Sequence, residues 1–94
     1  MIIVSGRIYV RAGSRDEFLL ASREAITLAR GTAGCRDFVV AADPLDSDRV
    51  NVYEEWESEE QLLAFRGEGP GDDVMSTIVR ADVRRHEISS SGPA

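Results

Sequence analysis

The residues of this 94-residue sequence that are best suited to chemistry lie on a central segment that alternates like a β-strand. Because every second residue of a strand faces the same side, Val52, Glu54 and Trp56 share one face. A carboxylate beside an indole can form the polar end of a pocket that binds a flat aromatic ligand. An unpaired buried carboxylate is costly, so Glu54 must be hydrogen-bonded, exposed near the strand end or shifted in pKa. A structural hydrogen bond is the alternative to a catalytic role for Glu54.

His86 and Cys35 are the other residues whose types could serve catalysis, and each is the only one of its kind. Histidine is the residue type whose ordinary pKa lies near neutrality, so His86 is the candidate general base if it points toward Glu54 and Trp56. A lone strand histidine is more often structural or exposed. We interpret Cys35 as a small buried hydrophobic residue rather than a nucleophile.

Metal binding is not expected. One histidine and one cysteine cannot supply a zinc site. The acidic stretch at 43–48 lacks the spacing and central glycine of a calcium-binding loop, so its acids indicate turn chemistry.

The element that must close over Glu54 and Trp56 is a short helix. Ser58 and Gln61 form a capping-box pattern, which predicts a helix from Ser58 to about Arg66 that folds back over the strand. Leu62 and Phe65 are three residues apart and share its inward face. The predicted substrate pocket therefore lies between helix and sheet. Its walls are Val52, Trp56, Leu62 and Phe65, with Glu54 at its polar end and Gly67 to Gly71 as a flap.

The remaining pattern predicts strands at Ile2 to Val10, Cys35 to Ala42 and about Asp82 to Ser89. It also predicts a capping box at Ser14 and Glu17 before a helix that stops at Gly31, and a turn containing Ile78 and Val79. The order strand, helix, strand, strand, helix, strand predicts an α+β, ferredoxin-like domain over 1–89 with a flexible tail at 90–94. Its four-stranded antiparallel sheet carries both helices on one face.

The other face of this sheet is predicted to be uncovered. It carries Ile3, Tyr9 and Tyr53, together with Phe38 and Val40 if the second strand is phased that way. Such a face is too apolar to be wholly solvated, and a homodimer would cover it. A monomer with one solvated sheet face is the alternative.

Composition narrows the possible partners and location. A net charge of −6 and the absence of a large basic cluster argue against nucleic acid, which requires a positive surface. No apolar run approaches the length of a membrane span, no signal peptide is visible, and cytoplasm is the expected location. All 11 basic residues are arginine, which excludes lysine Schiff-base chemistry and a Walker phosphate-binding loop.

The run Tyr53-Glu54-Glu55-Trp56-Glu57-Ser58, preceded by Gly34-Cys35-Arg36-Asp37-Phe38, resembles the antibiotic biosynthesis monooxygenase family over roughly Met1 to Ser89. This resemblance implies a dimeric α+β barrel. It also implies oxidation of a hydroxylated aromatic, a quinol or a polyketide-like substrate by O2 without a metal, flavin or haem cofactor.

The sequence departs from the family at the second helix, where many members have a histidine and this chain has Phe65. Haem-degrading relatives use a first-strand asparagine, a second-helix tryptophan and a downstream histidine. The matching positions here are Gly6, Phe65 and no histidine between Glu57 and Arg85, so haem degradation is disfavoured. Two functions remain open: a cofactor-independent monooxygenase with an unusual base, and a non-catalytic dimer that binds a small aromatic molecule.

Overall fold

Four strands and two helices make up the part of the chain that the structure, a computed structural model, describes: residues 1–67 and 75–94. In chain order they are β1 (Ile2–Val10), α1 (Arg15–Arg30), β2 (Cys35–Ala42), β3 (Arg49–Trp56), α2 (Glu59–Arg66) and β4 (Ile78–Glu87). The sheet order is β2-β3-β1-β4 and every neighbouring pair is antiparallel. The predicted ferredoxin-like α+β fold is confirmed.

Strand alternation divides the sheet into a helix-covered face and an open face. On β1, Ile2 and Val4 are buried under the helices, and on β3 so are Val50 and Trp56. Both helices contribute to the core, which has two clusters. One contains Ile2, Val4, Ala29, Phe38, Trp56 and Leu62; the other contains Val10, Phe18 and Val50.

The N-terminus of α1 differs from its predicted capping box. Ser14 lies at the N-cap in a helical conformation, with φ −100° and ψ −3°, and its side chain makes no capping hydrogen bond. A capping side chain accepts a hydrogen bond from a backbone N–H of the first turn, which follows it, and its own backbone is normally extended, as that of Ser14 is not. The prediction was therefore wrong at this helix.

Strand β4 begins earlier than predicted. Ile78 pairs with Val10 of β1, so Ile78 and Val79 lie in a strand and not in a helical turn. The physical reason is that β1 has backbone groups to be paired along its whole length, and β4 pairs with all nine of its residues. A register shift between Tyr9 and Val10 accommodates this extension.

The phase of β2 is also opposite to the one considered above. Phe38 is paired with Glu54 and Val40 with Val52, which places both on the helix-covered face. The register shifts between Cys35 and Asp37, and an extra residue in a strand reverses the alternation that follows it. Asp37, Val39 and Ala41 therefore occupy the open face instead.

Gly6 marks a close approach of two strands at the centre of the sheet. It lies between Val52 of β3 and Val83 of β4, with φ at 153°. A Cβ atom at this position would collide with the carbonyl oxygen of Asp82 and would lie 2.7 Å from the Cα atom of Val83. The β1–β4 pairing therefore requires glycine here.

Within residues 1–67 and 75–94, neither α1 nor α2 combines the length and apolarity needed to cross a membrane.

Candidate functional site

A buried carboxylate with two donors is the centre of the candidate site. Glu54 is 2% exposed, and no other charged residue appears among the buried side chains of the described core. The indole Nε1 of Trp56 donates to its Oε1 atom at 2.9 Å, and Nη2 of Arg66 donates to its Oε2 atom at 2.7 Å. Both oxygens are thus compensated for the loss of water. Of the arrangements expected for Glu54, the structure shows the hydrogen-bonded one.

Local sequence brings these three groups together. Glu54 and Trp56 are two residues apart on β3, so they project from the same face. Ser58 then caps α2, its Oγ atom accepting from the backbone N–H of Gln61 at 3.2 Å, as predicted. Because only two residues separate β3 from α2, the helix turns back over the strand and its last turn places Arg66 beside Glu54.

Aromatic side chains flank this hydrogen-bonded group. The ring centroid of Phe65 lies 5.3 Å from that of Trp56 and 5.7 Å from that of Phe38, the latter pair nearly edge to face. Phe65 is the half-buried member, since Trp56 and Phe38 are both buried. Phe38, which was considered for the open face, is thus a neighbour of the site.

The predicted wall residues share the helix-covered face, but they pack as core. Trp56 and Leu62 belong to one buried cluster, Phe65 packs against it, and Val52 is 8% exposed opposite Gly6. Two shallow surface cavities among the described residues lie elsewhere, one of about 430 Å³ on the outer side of α1 and one of about 220 Å³ on the open face. Phe65 is the member of the aromatic cluster that is only partly buried. The predicted flap lies outside the described residues except for Gly67.

His86 lies on the face opposite to Glu54 and Trp56. It pairs with Ile3, whereas Glu54 pairs with the next residue, Val4, and adjacent strand residues face opposite sides. Its side chain is exposed. The condition for a role of His86 as base, that it point toward Glu54 and Trp56, is therefore not met within one chain.

Arg66 is the site residue that the sequence interpretation missed. An arginine in the last turn of a helix ordinarily complements the helix dipole, and Arg66 has that position too. The signal that could have identified it is spacing: Arg66 is four residues after the inward-facing Leu62 and so shares its side of α2.

A second ion pair ties the other end of α2 to the sheet. Nη1 of Arg85 on β4 lies 3.0 Å from Oε1 of Glu59 in the first turn of the helix. Arg85 and Glu54 both pair with Val4, from opposite sides of β1. The helix is therefore bound at its start to β4 and at its end to β3, across the same row of the sheet.

Cys35 is not poised as a nucleophile. Burial, and secondarily the negative charge of Glu54, raise the pKa of its thiol above the ordinary value. A raised pKa disfavours the reactive thiolate. Its Sγ atom lies 3.5 Å from the carbonyl oxygen of Asp37, which accepts its weak hydrogen bond.

The acidic loop at 43–48 is turn chemistry, as predicted. The Asp43 carboxylate accepts from the side-chain amide of Asn51 and from the backbone N–H groups of Asp46 and Leu45, which together hold its pKa at about 2. No group of three or more histidine, cysteine, aspartate or glutamate side chains suited to a metal ion occurs within 1–67 and 75–94.

Comparison with solved structures shows the same fold in several proteins. A candidate antibiotic biosynthesis monooxygenase from Nitrosomonas europaea superposes with a TM-score of 0.86 at 15% identity, over 96% of this chain and 100% of that chain. Rv0793 from Mycobacterium tuberculosis superposes with a TM-score of 0.80 at 18% identity, over 98% of both chains. A candidate antibiotic biosynthesis monooxygenase from Chloroflexus aurantiacus gives 0.75 at 24% identity, over 97% and 96%.

Comparison with curated protein sequences finds no match. The sequence model of the family described as antibiotic biosynthesis monooxygenase matches residues 1–70, a segment that includes Glu54, Trp56 and Arg66. This match and the shared fold support a monooxygenase or small-molecule-binding function. The chain belongs to the antibiotic biosynthesis monooxygenase family.

Proposed function

We propose that the chain is a cofactor-independent monooxygenase that oxidises a hydroxylated aromatic, quinol or polyketide-like substrate with O2. The observation that supports this proposal best is the cluster of Trp56, Phe38 and half-buried Phe65 beside the Glu54–Arg66 ion pair. A flat ring can pack on Phe65, and the ion pair offers polar contacts to a ring oxygen.

The reaction needs an electron-rich anion and a site that limits water. Loss of a proton from a phenol or enol gives an anion that can transfer an electron to O2, and the resulting radicals combine to form a carbon–oxygen bond. For an anthrone, the methylene carbon gains one oxygen atom and loses two hydrogens as it becomes a carbonyl, and the second oxygen atom leaves as water. The aromatic cluster holds the ring and shields it from solvent.

The test is oxygen consumption by the purified chain with a panel of anthrones, quinols and polyketide-like phenols, alongside binding measured by fluorescence of its single tryptophan. Oxidation well above the uncatalysed rate is expected for at least one compound. Saturable quenching of Trp56 without oxidation of any compound would overturn the monooxygenase. That outcome would instead support the non-catalytic binding function, which the tight packing of the wall residues favours as the second candidate.

His86→Ala is expected to change the rate of oxygen consumption by less than about threefold, because His86 faces away from Trp56 and Phe65. Removal of a general base costs on the order of 10²-fold or more, so the two possibilities are easily separated. The measurement is kcat on the best substrate of the panel, with circular dichroism to show that the variant is folded. A decrease of kcat near 10²-fold in a folded variant would show that His86 takes part in catalysis.

The open sheet face is proposed as a homodimer interface, in keeping with a family that is generally dimeric. Half-buried Ile3, Val39 and Tyr53 lie on this face, on β1, β2 and β3 respectively. Acidic Asp37 lies on one edge strand and basic Arg84 on the other, so a two-fold arrangement can place opposite charges across the interface.

Sedimentation at micromolar concentration is expected to show a dimer, and Val39→Arg is expected to convert it to a monomer, because the new charge lies on the open face. Leu20→Arg is the matched control, since Leu20 is 67% exposed on α1 and lies away from that face. A monomeric parent chain, or a dimer that Val39→Arg leaves intact, would contradict this interface.

A further inference from the structure

The Glu54–Arg66 ion pair presents its positive member to solvent. The Glu54 side chain is 3% exposed, whereas the Arg66 side chain is 47% exposed. An arginine has five N–H donors arranged as a fork, and the contact with Glu54 is made by Nη2. The carboxylate thus orients one side of the guanidinium from below, and the exposed remainder of the group is available to a ligand.

Arg66 and the half-buried Phe65 are adjacent in the chain, and each contacts a buried partner. Phe65 packs on Trp56, Arg66 bonds to Glu54, and Trp56 donates to Glu54. A ring lying against Phe65 would therefore have the guanidinium at its edge, where an oxygen substituent projects. The net charge of the protein is −6, which disfavours the binding of anions in general. A cation at this position therefore favours ligands that carry a negative charge next to it.

We propose that Arg66 is the anion-binding and specificity-determining residue of this site, and that its ligands are acidic hydroxyaromatics or enols bound as oxyanions. This inference deepens the proposed function and rests on it. Glu54 is the positioning residue, because it holds the guanidinium without contacting the ligand.

The chemistry of the proton follows from the same geometry. His86 faces the opposite side of the sheet, and the Glu54 side chain, 3% exposed, lies beneath Arg66 and away from a ligand at the surface. The substrate O–H or C–H bond therefore ionises with its proton passing to water, and the electron pair stays on the oxyanion that Arg66 stabilises. O2 is the oxidant, as in the proposed reaction. Substrates that ionise readily are selected, and the site needs no strong base.

The test uses two probes that share one ring system, differ by one methyl group and are not oxidised: 2-hydroxy-1,4-naphthoquinone, which ionises, and 2-methoxy-1,4-naphthoquinone, which cannot. Binding is followed by quenching of Trp56 fluorescence. The parent chain is expected to bind the hydroxy probe at least about tenfold more tightly, since charge-assisted bonds to arginine are the strong ones. Arg66→Gln is expected to abolish this preference while leaving affinity for the methoxy probe within about threefold.

Arg23→Gln is the matched control, because it removes the same charge from the exposed outer surface of α1 and should leave the preference unchanged. Equal affinity of the parent for both probes, or a preference that survives Arg66→Gln, would overturn the proposal. Binding of neither probe would overturn it as well.

Arg66→Gln leaves Glu54 with one partner fewer, which can destabilise the fold. Two further variants keep the test decisive. The double variant Glu54→Gln, Arg66→Gln removes the unpaired charge and should show no preference. Arg66→Lys keeps the positive charge but loses the forked arrangement of N–H donors, so it should weaken the binding of the hydroxy probe alone. An equal loss of affinity for both probes in Arg66→Lys would count against a specific contact with the anion.

Failure of the proposed function is distinguishable from failure of this inference. Neither probe is oxidised, so the anion preference is measured independently of oxygen consumption. A chain that prefers the hydroxy probe but oxidises no anthrone or quinol lacks the proposed activity and retains the anion site. A chain that oxidises its substrates but shows no preference retains the activity and lacks the anion site.

Discussion

Replacement of Gly6 by alanine is expected to destabilise the protein by about 3 kcal/mol or more, or to prevent folding. The added Cβ would collide with the carbonyl oxygen of Asp82 and lie 2.7 Å from the Cα atom of Val83, both of which are backbone atoms. Backbone atoms of a paired strand cannot move aside as the end of a flexible side chain can. The β1–β4 ladder would therefore have to open. Chemical denaturation followed by circular dichroism measures the change.

Gly13→Ala is the control for this variant. Gly13 also has a positive φ, at 83°, but a Cβ atom there would meet no atom within 4 Å. The loss of stability in Gly13→Ala should come from backbone strain alone and amount to about 1 to 2 kcal/mol. Similar destabilisation by the two substitutions would show that the clash at Gly6 is relieved without opening the ladder.

The same position bears on the haem-degrading relatives. An asparagine at residue 6 would introduce a Cβ and an amide where the backbone of Asp82 and Val83 already lies. The chain therefore cannot present the first-strand asparagine of those relatives without changing how β4 pairs with β1. This is a structural reason, in addition to the sequence difference, for disfavouring haem degradation.

The second large effect is expected at Trp56, where substitution by alanine should cost about 3 to 5 kcal/mol. Trp56 is 0% exposed, packs against Phe65 and donates to Glu54, so the variant loses core volume and leaves a buried carboxylate oxygen without its donor. Equilibrium unfolding in urea is the measurement.

Trp56→Phe separates the two contributions. Phenylalanine retains much of the ring but has no N–H group, so the variant should lose about 1 to 3 kcal/mol from the unpaired Oε1 atom of Glu54. Glu54→Gln can be added to each variant to test whether the remaining cost depends on the charge. An alanine variant as stable as the phenylalanine variant would contradict a packing role for the indole.

The sequence was sufficient where local chemistry determines structure. Ser58 and Gln61 predicted the start of α2, and the two-residue alternation of β3 predicted that Glu54 and Trp56 share a face, because these signals act within a few residues. The order of elements then left few ways to build the sheet. The predicted wall residues consequently lie on one face in the structure.

The failed capping box at Ser14 is a local error, whereas the other errors arose where pairing between strands decides the outcome. The face of Phe38 depends on an extra residue near Arg36, and the residue pattern of β2 does not reveal it. The face of His86 depends on its pairing with Ile3, more than 80 residues away in the chain. Arg66 was missed for a related reason, since an arginine that reaches a buried carboxylate has the same local pattern as one that reaches solvent.

The opposite orientation of neighbouring strand residues limits how this protein can tolerate insertions and deletions. A single residue added within β1 or β3 would move Val4, Glu54 and their row to the open face and bring the open-face side chains under the helices. The connection at 43–48 is outside the strands, so a change of length there leaves both faces in place. Gradual variation in length should therefore accumulate in such connections, whereas the central strands can change only by substitution.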